Sequence, residues 1–117
     1  MTAGELKQML LRIYNAINKQ IFNTGVRQQS VDLIGNKIII VSINTRVAAL
    51  KVLQEEHAEV TQRMDFLLAQ QFKQRIRAEL ERQLGLKILT VFKDYDTATE
   101  FSGTVVVLEN EVAEYYE

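Results

Sequence analysis

Residues 34–43 read Ile-Gly-Asn-Lys-Ile-Ile-Ile-Val-Ser-Ile, and this stretch decides the fold. The Gly35-Asn36 pair suits the positive φ angles of a tight β-turn, and the β-branched run that follows favours a strand. With Gln29–Leu33 before the turn, the pattern predicts an antiparallel hairpin. The second strand of this hairpin is apolar on both faces except at Ser42. We therefore expect a central strand that helices or a second subunit cover on both sides.

A helix is predicted before the hairpin, over residues 5–23. Apolar residues recur there at three- and four-residue steps, which gives one apolar stripe on a helix. Thr2 and Glu5 have the spacing of a capping box, and Gly25 can adopt the left-handed conformation that ends a helix.

Helical patterns resume after the hairpin, with Asn44 or Thr45 as the expected N-cap, and they stop at Gly85. A single helix of forty residues would be about 60 Å long, too long for this domain. We therefore expect a break near 54–57, with helices over 46–54 and 58–84. The apolar face predicted for the long helix comprises Val60, Met64, Leu67, Leu68, Phe72, Ile76, Leu80 and Leu84.

A second hairpin closes the chain, with strands over 86–92 and 101–108 and a polar connection over 93–100. The order α-ββ-α-α-ββ predicts an α+β fold in which helices pack on a four-stranded antiparallel sheet. We expect one domain over residues 1–109 and an acidic C-terminal tail over 110–117. All 14 basic residues lie within 1–93, whereas seven of the 15 acidic residues lie within 94–117.

Composition excludes several classes of site. The chain has no cysteine, so no disulfide or thiolate-bound metal is available. Its longest apolar run is far shorter than the roughly 20 residues of a transmembrane helix, and its first residues lack the pattern of a signal peptide. We therefore expect a cytoplasmic location and no membrane-spanning segment.

Few residues carry recognisable chemistry. His57, the only histidine, lies among glutamates without metal-ligand spacing. The bases Arg75 and Arg77 each have a glutamate four residues later, which favours ion pairs on a helix over nucleic-acid binding. Asp94 and Asp96 lie in the polar connection, where acidic residues commonly bind local backbone rather than a cation. We expect no catalytic residue, cofactor, metal or nucleic-acid partner, and therefore a protein that is not an enzyme.

Apolar surface beyond one stripe suggests protein contacts instead. The central strand is apolar on both faces, and Phe66 lies away from the main stripe of the long helix. A homodimer would cover this surface by self-complementary packing. The residues that we predict to bind a partner are Ile39, Val41, Phe66, Tyr115 and Tyr116.

The order of short segments along residues 5–109 resembles the MpsC-like family of small bacterial proteins. The segments are Gly25-Val-Arg27, the Gly35-Asn36 turn, Thr45 at the start of helical sequence, Gly85-Leu-Lys87, and the loop 93–96 before a Val-rich strand. The chain departs from the family pattern just after Gly25 and just after Thr45. The resemblance implies a cytoplasmic accessory or regulator, linked by name to a Na⁺-translocating membrane-potential-generating system. It brings no catalytic residues to this chain.

Three functions are therefore open at this point. The first is a non-enzymatic accessory or regulatory protein that acts through an unknown protein partner, with a cation-translocating membrane complex as a candidate. The second is a sensor domain that binds a small ligand or a metal. The third is a weak nucleic-acid-binding protein that uses the long helix.

Overall fold

A computed structural model describes all 117 residues, and its order of elements confirms the predicted α+β fold. Three helices and four strands follow one another as α-ββ-α-α-ββ. The elements are α1 (Ala3–Phe22), β1 (Val26–Ile34), β2 (Lys37–Asn44), α2 (Ala48–Gln54), α3 (Ala58–Leu84), β3 (Ile88–Tyr95), β4 (Phe101–Leu108) and a final 3-10 helix (Val112–Tyr115).

Helix α1 has the predicted capping box at its start. The Thr2 hydroxyl accepts a hydrogen bond from the Glu5 backbone N–H, and the Glu5 carboxylate accepts one from the Thr2 N–H. The helix ends at Asn23, which adopts the left-handed conformation with φ of 52°. Asparagine tolerates that conformation better than most residues, so the helix stops before the Gly25 that the sequence suggested.

The four strands form one antiparallel sheet in the order β1-β2-β4-β3. Gly35, at φ +60°, makes the tight turn between β1 and β2. Strand β1 begins at Val26, earlier than the predicted Gln29. Its pairing with β2 is irregular between Arg27 and Ser30, where Gln28 takes a positive φ. Strand β3 runs on to Tyr95, so Lys93 belongs to the sheet rather than to the connecting loop.

Helices α1 and α3 pack together on one side of the sheet, and the core lies between them and the sheet. Ile38 and Ile40 of β2 are fully buried in this core. The alternate positions Ile39 and Val41 are only partly buried. The chain's own helices therefore cover one face of β2 only, so cover of the other face by a second subunit, the alternative that the sequence left open, stays a prediction. Isoleucine and valine favour a strand whichever face they lie on, so the apolar run of β2 does not reveal which of its faces is covered.

Only the C-terminal half of α3 packs on the sheet, through Phe72, Ile76 and Leu80. In the N-terminal half, Val60, Met64 and Leu67 of the predicted apolar face are exposed. Helix α3 also contacts α2, and the molecule measures 50 Å by 24 Å by 22 Å along its principal axes.

Helices α2 and α3 are separated at the predicted break. Helix α2 ends at Gln54 and α3 begins after His57, as expected. The predicted cap at Asn44 or Thr45 is wrong, because β2 continues through Asn44 and α2 begins after Val47 without a side-chain cap.

The C-terminal residues lie against the domain. Val112 of the predicted acidic tail is buried in the core, and its N–H donates to the Gly35 carbonyl. Tyr115 and Tyr116 pack against the same core, and the Tyr115 hydroxyl accepts a hydrogen bond from the Lys87 N–H.

Candidate functional site

The covered face of the sheet is apolar at one end and polar at the other. Along β2, the inward positions change from Ile38 and Ile40 to Ser42 and Asn44. The register pairs Ser42 with Ser102 of β4, and Thr104 of β4 with Lys93 of β3. Polar residues from three strands therefore meet under α1. Together with two residues of α1 they form what we call the polar cluster: Tyr14, Asn18, Ser42, Asn44, Lys93 and Ser102.

The Tyr14 hydroxyl is the centre of the polar cluster. It accepts hydrogen bonds from Asn44 Nδ2 at 2.9 Å and Lys93 Nζ at 3.0 Å, and it lies 3.2 Å from Ser42 Oγ, whose one proton goes to Asn44 Oδ1. It donates to Ser102 Oγ at 3.3 Å. One oxygen atom thus joins α1 to β2, β3 and β4, and it gives buried polar groups the partners that burial requires.

Asn18 and Asn44 complete the network on the side of α1. Asn44 Nδ2 donates to Asn18 Oδ1 at 3.3 Å, and Asn44 Oδ1 accepts from Ser42 Oγ at 2.7 Å. Asn18 Nδ2 donates one of its two N–H groups to the Thr24 carbonyl at 3.1 Å. Its second N–H has no partner among the residues of the polar cluster.

Lys93 places a cation among these neutral groups. Besides Tyr14, its Nζ donates to Ser102 Oγ at 2.8 Å, and it lies 3.9 Å from the centre of the Phe72 ring. Phe72 and Tyr14 meet edge to face, with ring centres 4.9 Å apart. The four ion pairs of the chain do not include Lys93. Hydroxyls and aromatic rings, rather than a carboxylate, therefore compensate its charge.

These surroundings shift the titration of both groups. Burial lowers the pKa of the Lys93 amine from its usual 10.5, against the opposing effect of Tyr14. Burial alone would raise the pKa of Tyr14, but the Lys93 charge and the hydrogen bonds with Ser102 and Ser42 together bring it below 10.0. Both groups therefore release a proton more readily than they do in water.

A cavity of about 40 Å³ lies beside the polar cluster. Lys93, Asn18 and Asn44 line it on one side, and Phe22, Val47, Leu50 and Ala69 supply apolar walls. The hydroxyl of Thr24, which also lines the cavity, is buried and has no hydrogen-bond partner.

An ion pair lies at the other wall of the cavity. The buried Arg46 guanidinium donates through two nitrogens to the two carboxylate oxygens of Asp65 and through Nε to Gln54. The guanidinium also lies 5.8 Å from the centre of the Tyr95 ring. The Tyr95 hydroxyl donates to the Asn44 carbonyl at 2.8 Å, and burial raises its pKa to about 12. Arg46 thus joins the connection after β2 to α2 through Gln54 and to α3 through Asp65.

The opposite face of the sheet has no helix on it. We call it the outer face, and its apolar residues are Ile39, Val41, Ile43, Phe92, Phe101, Val105 and Val107. The phenyl groups of Phe92 and Phe101 are 59% and 46% exposed. Asp32 and Lys37 lie near it at exposed positions, so an apolar centre has charges of both signs at its rim.

The predicted partner-binding residues do not form one surface. Ile39 and Val41 lie together on the outer face, whereas Phe66, which is 53% exposed, lies on α3 at the other side of the sheet. The ring of Phe66 has the Arg63 guanidinium 5.8 Å from its centre. Tyr115 and Tyr116 lie against the domain's own core.

The other candidate residues lie apart from the polar cluster. His57 is exposed at the start of α3, and no three His, Cys, Asp or Glu residues converge as a metal site would require. Asp96 accepts a hydrogen bond from the Ala98 N–H, as expected of a loop carboxylate. Arg77 pairs with Glu81 as predicted. Glu79 pairs with Arg82 instead of Arg75.

Comparison with known families identifies the chain. A family model described as "Na+-translocating membrane potential-generating system (MpsC)" matches residues 2–110, nearly its whole length. The chain belongs to the MpsC family. Searches of curated proteins and of solved structures returned no match. None of the helices of this MpsC-family chain is both long and apolar enough to cross a membrane.

Sequence reasoning missed the polar cluster of this MpsC-family protein. A signal was present, because Asn18 lies four residues after Tyr14 within the apolar stripe of α1, and Ser42 interrupts an apolar strand. Polar residues at core positions indicate a buried network when partners face them. Only the sheet order shows that β3 brings Lys93 to the same place.

Proposed function

We propose that the chain is a non-enzymatic accessory or regulatory protein that acts through protein contacts, in association with a Na⁺-translocating membrane system. The observation that carries the proposal is the outer face, an apolar sheet surface that the chain's own helices leave open. The description of its family supplies the link to the membrane system. A cytoplasmic location belongs to the same proposal.

A second copy of the chain is the occupant that we propose for the outer face. Strands about 4.8 Å apart, with eight residues rising about 3.3 Å each, give a four-stranded face of about 500 Å². Two such faces in contact bury about 1,000 Å², which reaches the lower limit of specific interfaces. An apolar centre within a rim of both charges is also the usual anatomy of a self-complementary contact.

Two exposed phenylalanines allow a matched test of this homodimer. Phe92 is on the outer face and Phe66 is on α3, with similar exposed fractions of 59% and 53%. Sedimentation at micromolar concentration should give about twice the 13.5 kDa chain mass for the wild type and for Phe66→Lys, and the chain mass for Phe92→Lys. A wild-type monomer, or a dimer that Phe66→Lys breaks and Phe92→Lys does not, would contradict this arrangement.

The link to the membrane system needs a test in cells. In a host that has both the gene and the membrane system, deletion of the gene should change the Na⁺-dependent membrane potential, measured with a voltage-sensitive dye. Wild type and Phe66→Lys should restore the potential, and Phe92→Lys should not. An unchanged potential after deletion would refute the association, whatever the oligomeric state.

A further inference from the structure

We propose that the junction between α2 and α3 is a hinge, and that two copies of the chain exchange halves when it straightens. In the exchanged dimer, the half from α1 to α2 of one copy packs on the half from α3 to β4 of the other. The partner at the junction is thus a second copy of this chain. Neither the outer face nor the proposed function is needed for this exchange.

The break between α2 and α3 is short. Glu55 still has helical backbone angles, φ −67° and ψ −40°. The His57 N–H still donates to the Leu53 carbonyl at 2.8 Å, which is the bond of a continuing helix. His57 itself departs from the helix, with φ −133° and ψ 50°. The change of direction is therefore centred on His57.

The local sequence does not require this break. No glycine or proline lies within residues 36–84, and sharp kinks in helices usually need one of them. The His57 side chain does not cap α3, and the N–H groups of Ala58 and Glu59 have no backbone acceptor. In a continuous helix these two groups would donate to the carbonyls four residues earlier. The hinge thus gains backbone hydrogen bonds when it straightens.

Contacts between distant residues hold the chain bent. Arg46, before α2, contacts Asp65 of α3 through two nitrogens. These residues would lie about 28 Å apart along a continuous helix. The pairing of β2 with β4 is the other tie, with Ile38 opposite Val106. Both ties join the first half of the chain to the second, so the matching half of another copy makes them equally well. Exchange therefore keeps the contacts of the fold and changes only the junction.

A straight junction also aligns apolar residues that are exposed in the bent chain. Four of them, each between 39% and 47% exposed, recur at steps of seven, four and three: Leu53, Val60, Met64 and Leu67. Such steps place side chains on one stripe of a continuous helix. The two helices of the exchanged dimer run antiparallel about a two-fold axis at the junction, so the two stripes face each other there.

The charges beside this stripe fit a second copy. Glu56 and Arg63 are seven residues apart, so they lie on the same side of a continuous helix. Neither belongs to any of the four ion pairs of the chain. An antiparallel partner brings its arginine next to Glu56, and the two-fold symmetry repeats the pair. The exchanged dimer therefore has two ion pairs that the bent chain lacks.

The first experiment refolds the purified full chain from urea at micromolar or near-millimolar concentration and measures its mass after dilution to micromolar. It uses Phe92→Lys, which removes the outer-face contact. We expect a monomer after dilute refolding. Concentrated refolding should give a dimer that survives dilution, because its reversal requires β2 to leave β4. The same oligomer after both treatments would overturn the proposal.

Spin labels report whether the junction is straight. The chain has no cysteine, so Ala49→Cys and Gln71→Cys place labels at two exposed positions on either side of the junction. In dimers formed with excess unlabelled chain, the two labels should be about 33 Å apart, the length of 22 residues of helix. The monomer should give a shorter distance, because α2 folds back against α3. Equal distances in monomer and dimer would contradict the exchange.

Charge reversal tests the fit between the two copies. Glu56→Arg alone and Arg63→Glu alone should each lower the dimer fraction after concentrated refolding at least threefold, because like charges then meet. The double variant should restore the dimer, since the pair re-forms with its signs exchanged. Both positions are exposed, so the melting temperature of the monomer should not change. Unchanged dimer in the single variants, or no recovery in the double variant, would refute the antiparallel fit.

Discussion

Removal of the Tyr14 hydroxyl should destabilise the protein far more than removal of one exposed atom. Tyr14→Phe deletes three hydrogen bonds, of which two join neutral groups and one joins Lys93. Net contributions are about 1 kcal/mol for a neutral bond and about 1.5–3 kcal/mol for a charged one. Lys93 and Asn44 each keep one other partner, which reduces the loss to about 3–4 kcal/mol.

The effect on the melting temperature follows from chain length. An unfolding entropy of about 2.1 cal/mol/K per residue gives about 0.25 kcal/mol/K for 117 residues. The expected decrease for Tyr14→Phe is therefore about 12–16 °C.

Urea denaturation, followed by circular dichroism, supplies the free energy, and calorimetry supplies the temperature. Tyr116→Phe is the matched control, because it removes the same atom from a partly buried residue outside the polar cluster. If Tyr14→Phe costs less than about 1 kcal/mol, or no more than Tyr116→Phe, then the network is not a stabilising unit and the reasoning fails.

Two further predictions concern the core and the pH dependence of stability. Ile40→Asp should unfold the chain, because Ile40 is 1% exposed and an unpaired carboxylate would be buried there. The control Ile34→Asp, at a position that is 58% exposed, should retain the native circular dichroism spectrum. A folded Ile40→Asp variant would refute the core assignment. Since the pKa values of Lys93 and Tyr14 are lowered in the folded state from their usual 10.5 and 10.0, the unfolded chain holds more protons just below those values, and the free energy of unfolding should rise as the pH increases toward 10. Urea denaturation at several pH values should show that Lys93→Met flattens this rise and Lys51→Met does not. Equal slopes of the free energy of unfolding against pH in the two variants would contradict the assignment to Lys93.

The elements that local pattern controls were predictable from the sequence. The capping box at Thr2, the turn at Gly35 and the break before α3 depend on a few adjacent residues, and all three are confirmed. The start of β1 was missed because a bulge has no strong sequence signal. The cap of α2 was wrong because Asn44 is drawn into the polar cluster, which a local pattern cannot show.

The covered and open faces could not be separated from sequence, for a physical reason. Ile39 and Ile40 are identical side chains in adjacent positions, and only the placement of the helices makes one of them core and the other surface. The cavity is equally non-local, since Thr24, Lys93 and Asp65 come from separate parts of the chain. None of these three residues has a sequence signal in its own segment that predicts the cavity.

The order of the strands has a consequence for how the chain folds. Each hairpin joins neighbouring segments, but the central pairing of β2 with β4 places Ile38 opposite Val106, 68 positions along the chain. Because closing such a long loop costs more entropy than closing either turn, the meeting of the two halves should limit the folding rate. The chain has no proline, so no slow prolyl isomerisation competes with that step. Refolding kinetics should thus report directly on the docking of one half of the sheet against the other.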